Sequence, residues 1–110
     1  LRGNILALRK LSQKEAFHFF TSIGNPTGTI ATSLEDFLKD IKEVNAKSLE
    51  FHFEREDFDK WVTNVLKDTK LAREIRYLRN EKLTGEALRN SLYSVVSKRY
   101  KELTTNLPKK

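Results

Sequence analysis

The run from Asp57 to Leu66 constrains this chain more than any other. After Asp57, the apolar residues Phe58, Trp61, Val62, Val65 and Leu66 recur at helical spacing, and only a helix turns all five to one side. Asp57 has the chemistry of an N-cap, because its carboxylate accepts the free amide hydrogens of a first turn. The run sits inside Ser48–Leu78, which holds the only tryptophan, Trp61, and the densest group of acids. Lys67 to Lys70 interrupts the pattern. Leu71, Ile75 and Leu78 then start a second stripe, with Arg73, Arg76 and Arg79 on the opposite and flanking side. Such a segment has one apolar face and one guanidinium face.

The flanking chain reads as further helices. Ile5 to Leu11 suggests a first short one. Ser12 and Glu15 form a capping-box pattern ahead of Ala16, Phe17, Phe20 and Ile23, with Gly24 and Pro26 as stop signals. Phe17-His18-Phe19 also alternates as a strand would, but the cap at one end and the glycine at the other favour helix. Gly24-Asn25-Pro26-Thr27-Gly28 is a turn, and Thr29 to Thr32 an extended linker. Ser33 caps a helix striped with Leu34, Phe37, Leu38, Ile41 and Val44, and Asn45 caps a short one through Leu49 and Phe53. Thr84 caps the last and longest helix, lined by Leu88, Leu92, Val95, Val96 and Leu103. The expected fold is all-α: a compact single-domain bundle of about six short helices. Residues 12–103 form its core and 104–110 a frayed basic tail.

At 110 residues the chain suits one domain that buries roughly two-thirds of its unfolded surface. It has no cysteine, which excludes disulfides and thiolate metal sites. No apolar run approaches a membrane span, and Leu1-Arg2-Gly3-Asn4 does not open a signal peptide. The lack of an initiating methionine suits a trimmed or partial chain. A cytoplasmic location without membrane contact is expected. The net charge is +6 and unevenly placed. Residues 1–66 carry nine Lys/Arg against ten Asp/Glu, and residues 67–110 carry twelve against five. A basic C-terminal part suits an acidic partner or nucleic acid, and equally a solvated surface.

Sites of chemistry are sparse. Gly24 to Gly28 lacks the Gly-Lys-Ser/Thr of a phosphate loop, although Gly28, Thr29, Thr32 and Ser33 lead into a helix N-terminus where an anion would find amides. Glu15 and His18 form half of a di-iron motif with no second copy. His52 and Glu56 are only two ligands. Glu54, Glu56, Asp57 and Asp59 crowd near Arg55, where capping and local pairing explain them without catalysis. Arg99 is the one charge near the apolar side of the last helix, and a buried arginine needs a partner; the Glu54–Asp59 cluster is the expected one. Arg73, Arg76, Arg79, Lys82 and Arg89 form a possible phosphate-binding surface, with tyrosines nearby for stacking. No cofactor, metal site or catalytic residue is expected.

Five elements taken together resemble a known family. They are Ile23-Gly24-x-Pro26-Thr27-Gly28, Ala31-x-Ser33-Leu34-x-x-Phe37, Ser48-Leu49-x-Phe51-His52, Arg55-x-Asp57-Phe58-x-x-Trp61 and Asp68-x-x-Leu71-Ala72. The set resembles the uncharacterised prokaryotic domain of unknown function catalogued as family 5752, from about Ser12 to Leu103. Longer relatives carry His-x-His-Arg where this chain has Phe51-His52-Phe53-Glu54. The resemblance implies no established activity. It marks His52, Arg55, Asp57 and Trp61 as the positions where a family function would sit. The expected role is a non-enzymatic interaction or regulatory module binding a protein partner, or itself as a homo-oligomer, through an apolar patch near Phe19, Phe51 or Tyr77. The alternative is nucleic-acid binding through the arginine face.

Overall fold

A computed structural model describes residues 6–105. The elements run β1 (Phe17–Ser22), β2 (Asn25–Ala31), α1 (Leu34–Glu43), α2 (Ala46–Glu54), α3 (Asp57–Trp61), a π-helical turn (Val62–Leu66), α4 (Thr69–Tyr77), a 3-10 turn (Leu78–Glu81) and α5 (Gly85–Thr105). The fold is therefore α+β, not the expected all-α bundle: among the described residues, five α-helices pack with a two-stranded antiparallel hairpin.

The hairpin replaces the second expected helix, and the reason is tertiary. The capping box does form. The Ser12 amide meets Glu15 Oε1 at 3.3 Å, and the Glu15 amide meets Ser12 Oγ at 3.3 Å. It closes one turn and stops. On a helix, Phe17 and Phe19 would point to widely separated directions; on a strand they share a face. Both are buried, in edge contact at 4.9 Å, while His18 between them is exposed. Burying two phenylalanines outweighs the local helix signal. Gly24 adopts φ +80 in the hairpin turn rather than at a helix end. The stretch read as turn and linker is strand β2, irregular because Pro26 and Gly28 (φ +89) interrupt it. Phe17 pairs with Ala31 and His18 with Ile30, and the register then shifts so that Phe20 meets Pro26.

The helices follow their stripes more closely. Ser33 caps α1 by accepting from the Asp36 amide at 3.0 Å, and Asn45 caps α2 through the Lys47 amide at 2.8 Å. The Trp61 helix begins differently from expectation. Glu56, at φ 65, precedes it without a side-chain cap, and Asp57 is its first residue. Its second half is the π-helical turn, ended by Lys67 at φ 60. Arg9 reaches across to donate to the Val65 carbonyl at 2.7 Å, satisfying a group at the helix end. Of the first expected helix, Ile5 lies outside the described residues, and among residues 6–11 only Leu6 is helical. α5 runs on through Thr105; residues 106–110 of the expected tail lie outside the described residues.

The centre is aromatic. Phe19, Phe37 and Phe58 are fully buried, joined by Phe17 and Trp61. Trp61 Nε1 donates to the Glu15 carbonyl at 2.8 Å, so the turn before β1 is tied to α3. A second tie lies at the far end. Arg99 is buried, and its partner is Asp68, not the Glu54–Asp59 cluster. Nε donates to Asp68 Oδ2 at 2.8 Å and Nη2 to Oδ1 at 3.2 Å, while Nη1 reaches Glu102 at 3.0 Å. Asp68 is also the N-cap of α4, accepting from the Leu71 amide at 3.1 Å. One carboxylate thus starts α4 and fastens it to α5. Burial opposes the charge on Arg99, but the bonds to Asp68 and Glu102 outweigh it and raise its pKa.

Asp40 is less well served. It is buried on α1, and its Oδ2 has no hydrogen-bond partner among the described residues. Desolvation, then the charges of Asp36 and Glu43, push its pKa up to about 6.

Two outcomes follow for urea denaturation. Arg99→Met leaves the Asp68 charge buried and unpaired, with an expected loss of about 3–5 kcal/mol; a loss below about 1 kcal/mol would show that the α4 cap alone suffices for Asp68. Asp40→Asn has the opposite sign. Below about 6 the folded wild type binds the extra proton, so the penalty on Asp40 is full at pH 7 and fades as pH falls toward 3.8. The variant is expected to be more stable at pH 7 by roughly 1–3 kcal/mol. A gain that persists at pH 4 would place its origin elsewhere.

Candidate functional site

The β-hairpin packs on α2, and a cleft of about 350 Å3 opens between the hairpin tip and the α2–α3 junction. Phe17, His18, Phe20, Ile23 and Gly24 form one wall, and Phe51, His52, Arg55 and Asp57 the other. Ile23, at the hairpin tip, is 79% exposed, which is unusual for so large an apolar side chain.

His52 organises the cleft. Its position in the last turn of α2 points the ring at β1. The Phe20 amide donates to His52 Nε2 at 2.8 Å, and Nδ1 meets Asp57 Oδ2 at 2.8 Å. An amide N–H can only donate, so Nε2 carries no proton and Nδ1 does. The ring is neutral with both nitrogens engaged. Burial pushes its pKa down and Arg55 adds to this, while the bond and charge of Asp57 pull it up; the net direction is down. Asp57 Oδ2 also accepts from Arg55 Nε at 3.0 Å, and the Arg55 guanidinium lies 5.1 Å over the Phe51 ring. Asp57 therefore spends its carboxylate on the cleft rather than on a helix cap.

Three of the four positions marked from the sequence, His52, Arg55 and Asp57, thus meet at one place. Trp61 does not line the cleft; it lies beneath, in edge contact with Phe17 at 5.4 Å. Sequence reasoning missed the hairpin side of the cleft, above all Phe20, Ile23 and the wall role of Phe17. The alternation Phe17-His18-Phe19 was the one signal that could have found it.

Three of the five basic residues are engaged within the chain. Arg76 reaches Asp59 at 3.4 Å. Arg79 donates to the Phe53 carbonyl at 2.9 Å, with Glu56 at 3.8 Å. Arg89 donates to the Ile41 carbonyl and to Glu86, both at 2.8 Å. Arg73 and Lys82 are exposed. Of the apolar patch residues, Phe19 is fully buried, Phe51 lines the cleft and Tyr77 is 68% exposed on another surface. The helix N-terminus at Ser33 is filled from within: Asp36 accepts from the Thr32 amide and hydroxyl, the hydroxyl bond chiefly holding its pKa down. His18 Nε2 lies 3.1 Å from the Gln13 carbonyl, and no group of three or more potential metal ligands occurs among the described residues. No helix among the described residues is long and apolar enough to cross a membrane.

These features define a small α+β domain with a preformed apolar cleft closed by a histidine-anchored hairpin. The chain matches the family of unknown function (DUF5752) over residues 4–96, and it belongs to that family. No curated protein and no solved structure matches it.

The cleft yields a pH prediction. Below about 6.5 an unfolded chain protonates His52 while the folded one resists, so stability falls as pH drops through that value. Asp40 titrates in an overlapping window with opposite sign, so the comparison is made in an Asp40→Asn background. There, His52→Gln, whose amide oxygen can still accept from Phe20, is expected to flatten the loss between pH 7 and pH 5. His52→Leu orphans the Phe20 amide and is expected to cost roughly 1–3 kcal/mol. An unchanged acid slope in the glutamine variant would show that His52 does not carry it.

Proposed function

We propose that the domain is a non-catalytic interaction module whose hairpin–α2 cleft receives an apolar side chain of a protein partner. The observation that carries this reading is the exposure of Ile23 at the lip of a cleft lined by Phe17, Phe20 and Phe51. The polar groups in the wall are already paired with one another: Arg55 with Asp57, and Asp57 with His52. Such a cleft offers contact area without an uncompensated charge, the form that a buried anchor at the centre of an interface requires. A cleft of this size is near the lower end for small-molecule sites and suits one large side chain. The commitment of both His52 nitrogens argues against general base work here, since a base needs a free lone pair.

A strand-addition mode fits less well. β2 contains Pro26 and the left-handed Gly28, and both disturb the repeat of donors and acceptors that an incoming strand needs.

Selection from a displayed random-peptide library tests the proposal. Enriched peptides are expected to share an aromatic or aliphatic anchor and to bind Ile23→Asp at least about tenfold more weakly. Sedimentation of the domain alone shows whether its own copies are the partner: a concentration-dependent dimer abolished by Ile23→Asp supports the same cleft. Peptides that bind wild type and Ile23→Asp equally, or no enrichment together with a monomer at all concentrations, would sink the proposal.

A further inference from the structure

We propose that the groove between α4 and α5 is a second, independent interaction surface, and that it takes an acidic amphipathic segment of a protein partner. Arg73, Glu74 and Tyr77 of α4 face Val95 and Lys98 of α5 across a volume of about 520 Å3, with Leu78 in the floor. Tyr77 is 68% exposed at its edge. Tyrosine is a favoured contact residue at interfaces because a broad apolar ring ends in a polar tip.

The charge says what covers the groove. Arg76, Arg79 and Arg89 are bound to carboxylates or carbonyls of this chain. Arg73 and Lys98 are exposed and have no acidic partner among the described residues. They stand on opposite walls of an apolar trough, and Lys101 follows Lys98 one turn along α5. An amphipathic helix laid in the trough presents apolar residues to Leu78, Val95 and Tyr77, and acidic residues on its two flanks to Arg73 and Lys98. This is the helix-in-groove mode of recognition. Single-stranded nucleic acid fits less well. It gains from several stacking rings along a basic track, whereas this groove holds one ring and places the Glu74 carboxylate in its wall.

The test uses a fluorescent peptide of about 16 residues with leucines at helical spacing on one face and glutamates on both flanks. Its anisotropy is titrated with the whole domain. Micromolar binding is expected, weakened in about 0.5 M salt and reduced at least about tenfold by the double variant Arg73→Glu/Lys98→Glu. Tyr77→Ala is expected to weaken it similarly, and Ile23→Asp to leave it unchanged, which separates this groove from the hairpin cleft. All of these positions are exposed, and circular dichroism checks that each variant folds. No binding, binding indifferent to charge reversal, or tighter binding of an oligothymidine than of the peptide would each overturn the proposal.

Discussion

A strand with only one strand beside it leaves half its amides looking for partners. β1 solves this with a side chain: the Phe20 amide donates to His52 Nε2. A two-stranded hairpin is marginal on its own, and β1 gains its second edge from α2. That bond fixes the tautomer of His52, which presents Nδ1–H to Asp57, which in turn holds Arg55 over Phe51. The cleft walls are therefore set by one backbone amide meeting one imidazole. The aromatic layer below depends on the same docking, because Phe17 and Phe19 reach Phe37, Phe58 and Trp61 only when β1 lies against the helices.

The opposite end is organised by charge. Asp68 and Arg99 are both buried, and the guanidinium meets the carboxylate through two nitrogens. Desolvating such a pair is expensive, and its net contribution to stability is small when compared with apolar replacements. Its value here is geometric. Because Asp68 also caps α4, the ion pair sets where α4 begins and how it lies along α5. The trough bounded by Arg73, Tyr77 and Lys98 is the outer surface of that arrangement.

What the sequence revealed and what it hid follow the range of each interaction. Ser33 with Asp36, and Asn45 with Lys47, are local contacts, and their caps were legible. So were the stripes of α1, α4 and α5, whereas Gly24, read as a helix stop, is the turn of the hairpin. Ser12 and Glu15 also made their box, but a capping box predicts only that a turn starts. Whether it continues was decided by Phe17 and Phe19, whose partners Phe37 and Phe58 lie far along the chain. The Phe20–His52 and Arg99–Asp68 contacts span 32 and 31 residues, and no spacing rule announces pairs of that kind. His52, Arg55 and Asp57 were found because they are neighbours in sequence. The hairpin wall facing them was hidden by the helix assignment.

Trp61 has a use of a different kind. It is the only tryptophan in the chain, it is buried, and its indole N–H is bonded to the carbonyl just before β1. Its emission therefore comes from a single place, the seam between the hairpin and the helices. Lifting the hairpin would break that bond and admit water to the ring, while unravelling of the far end of α5 would leave both untouched. The protein carries its own optical gauge of whether the hairpin is seated.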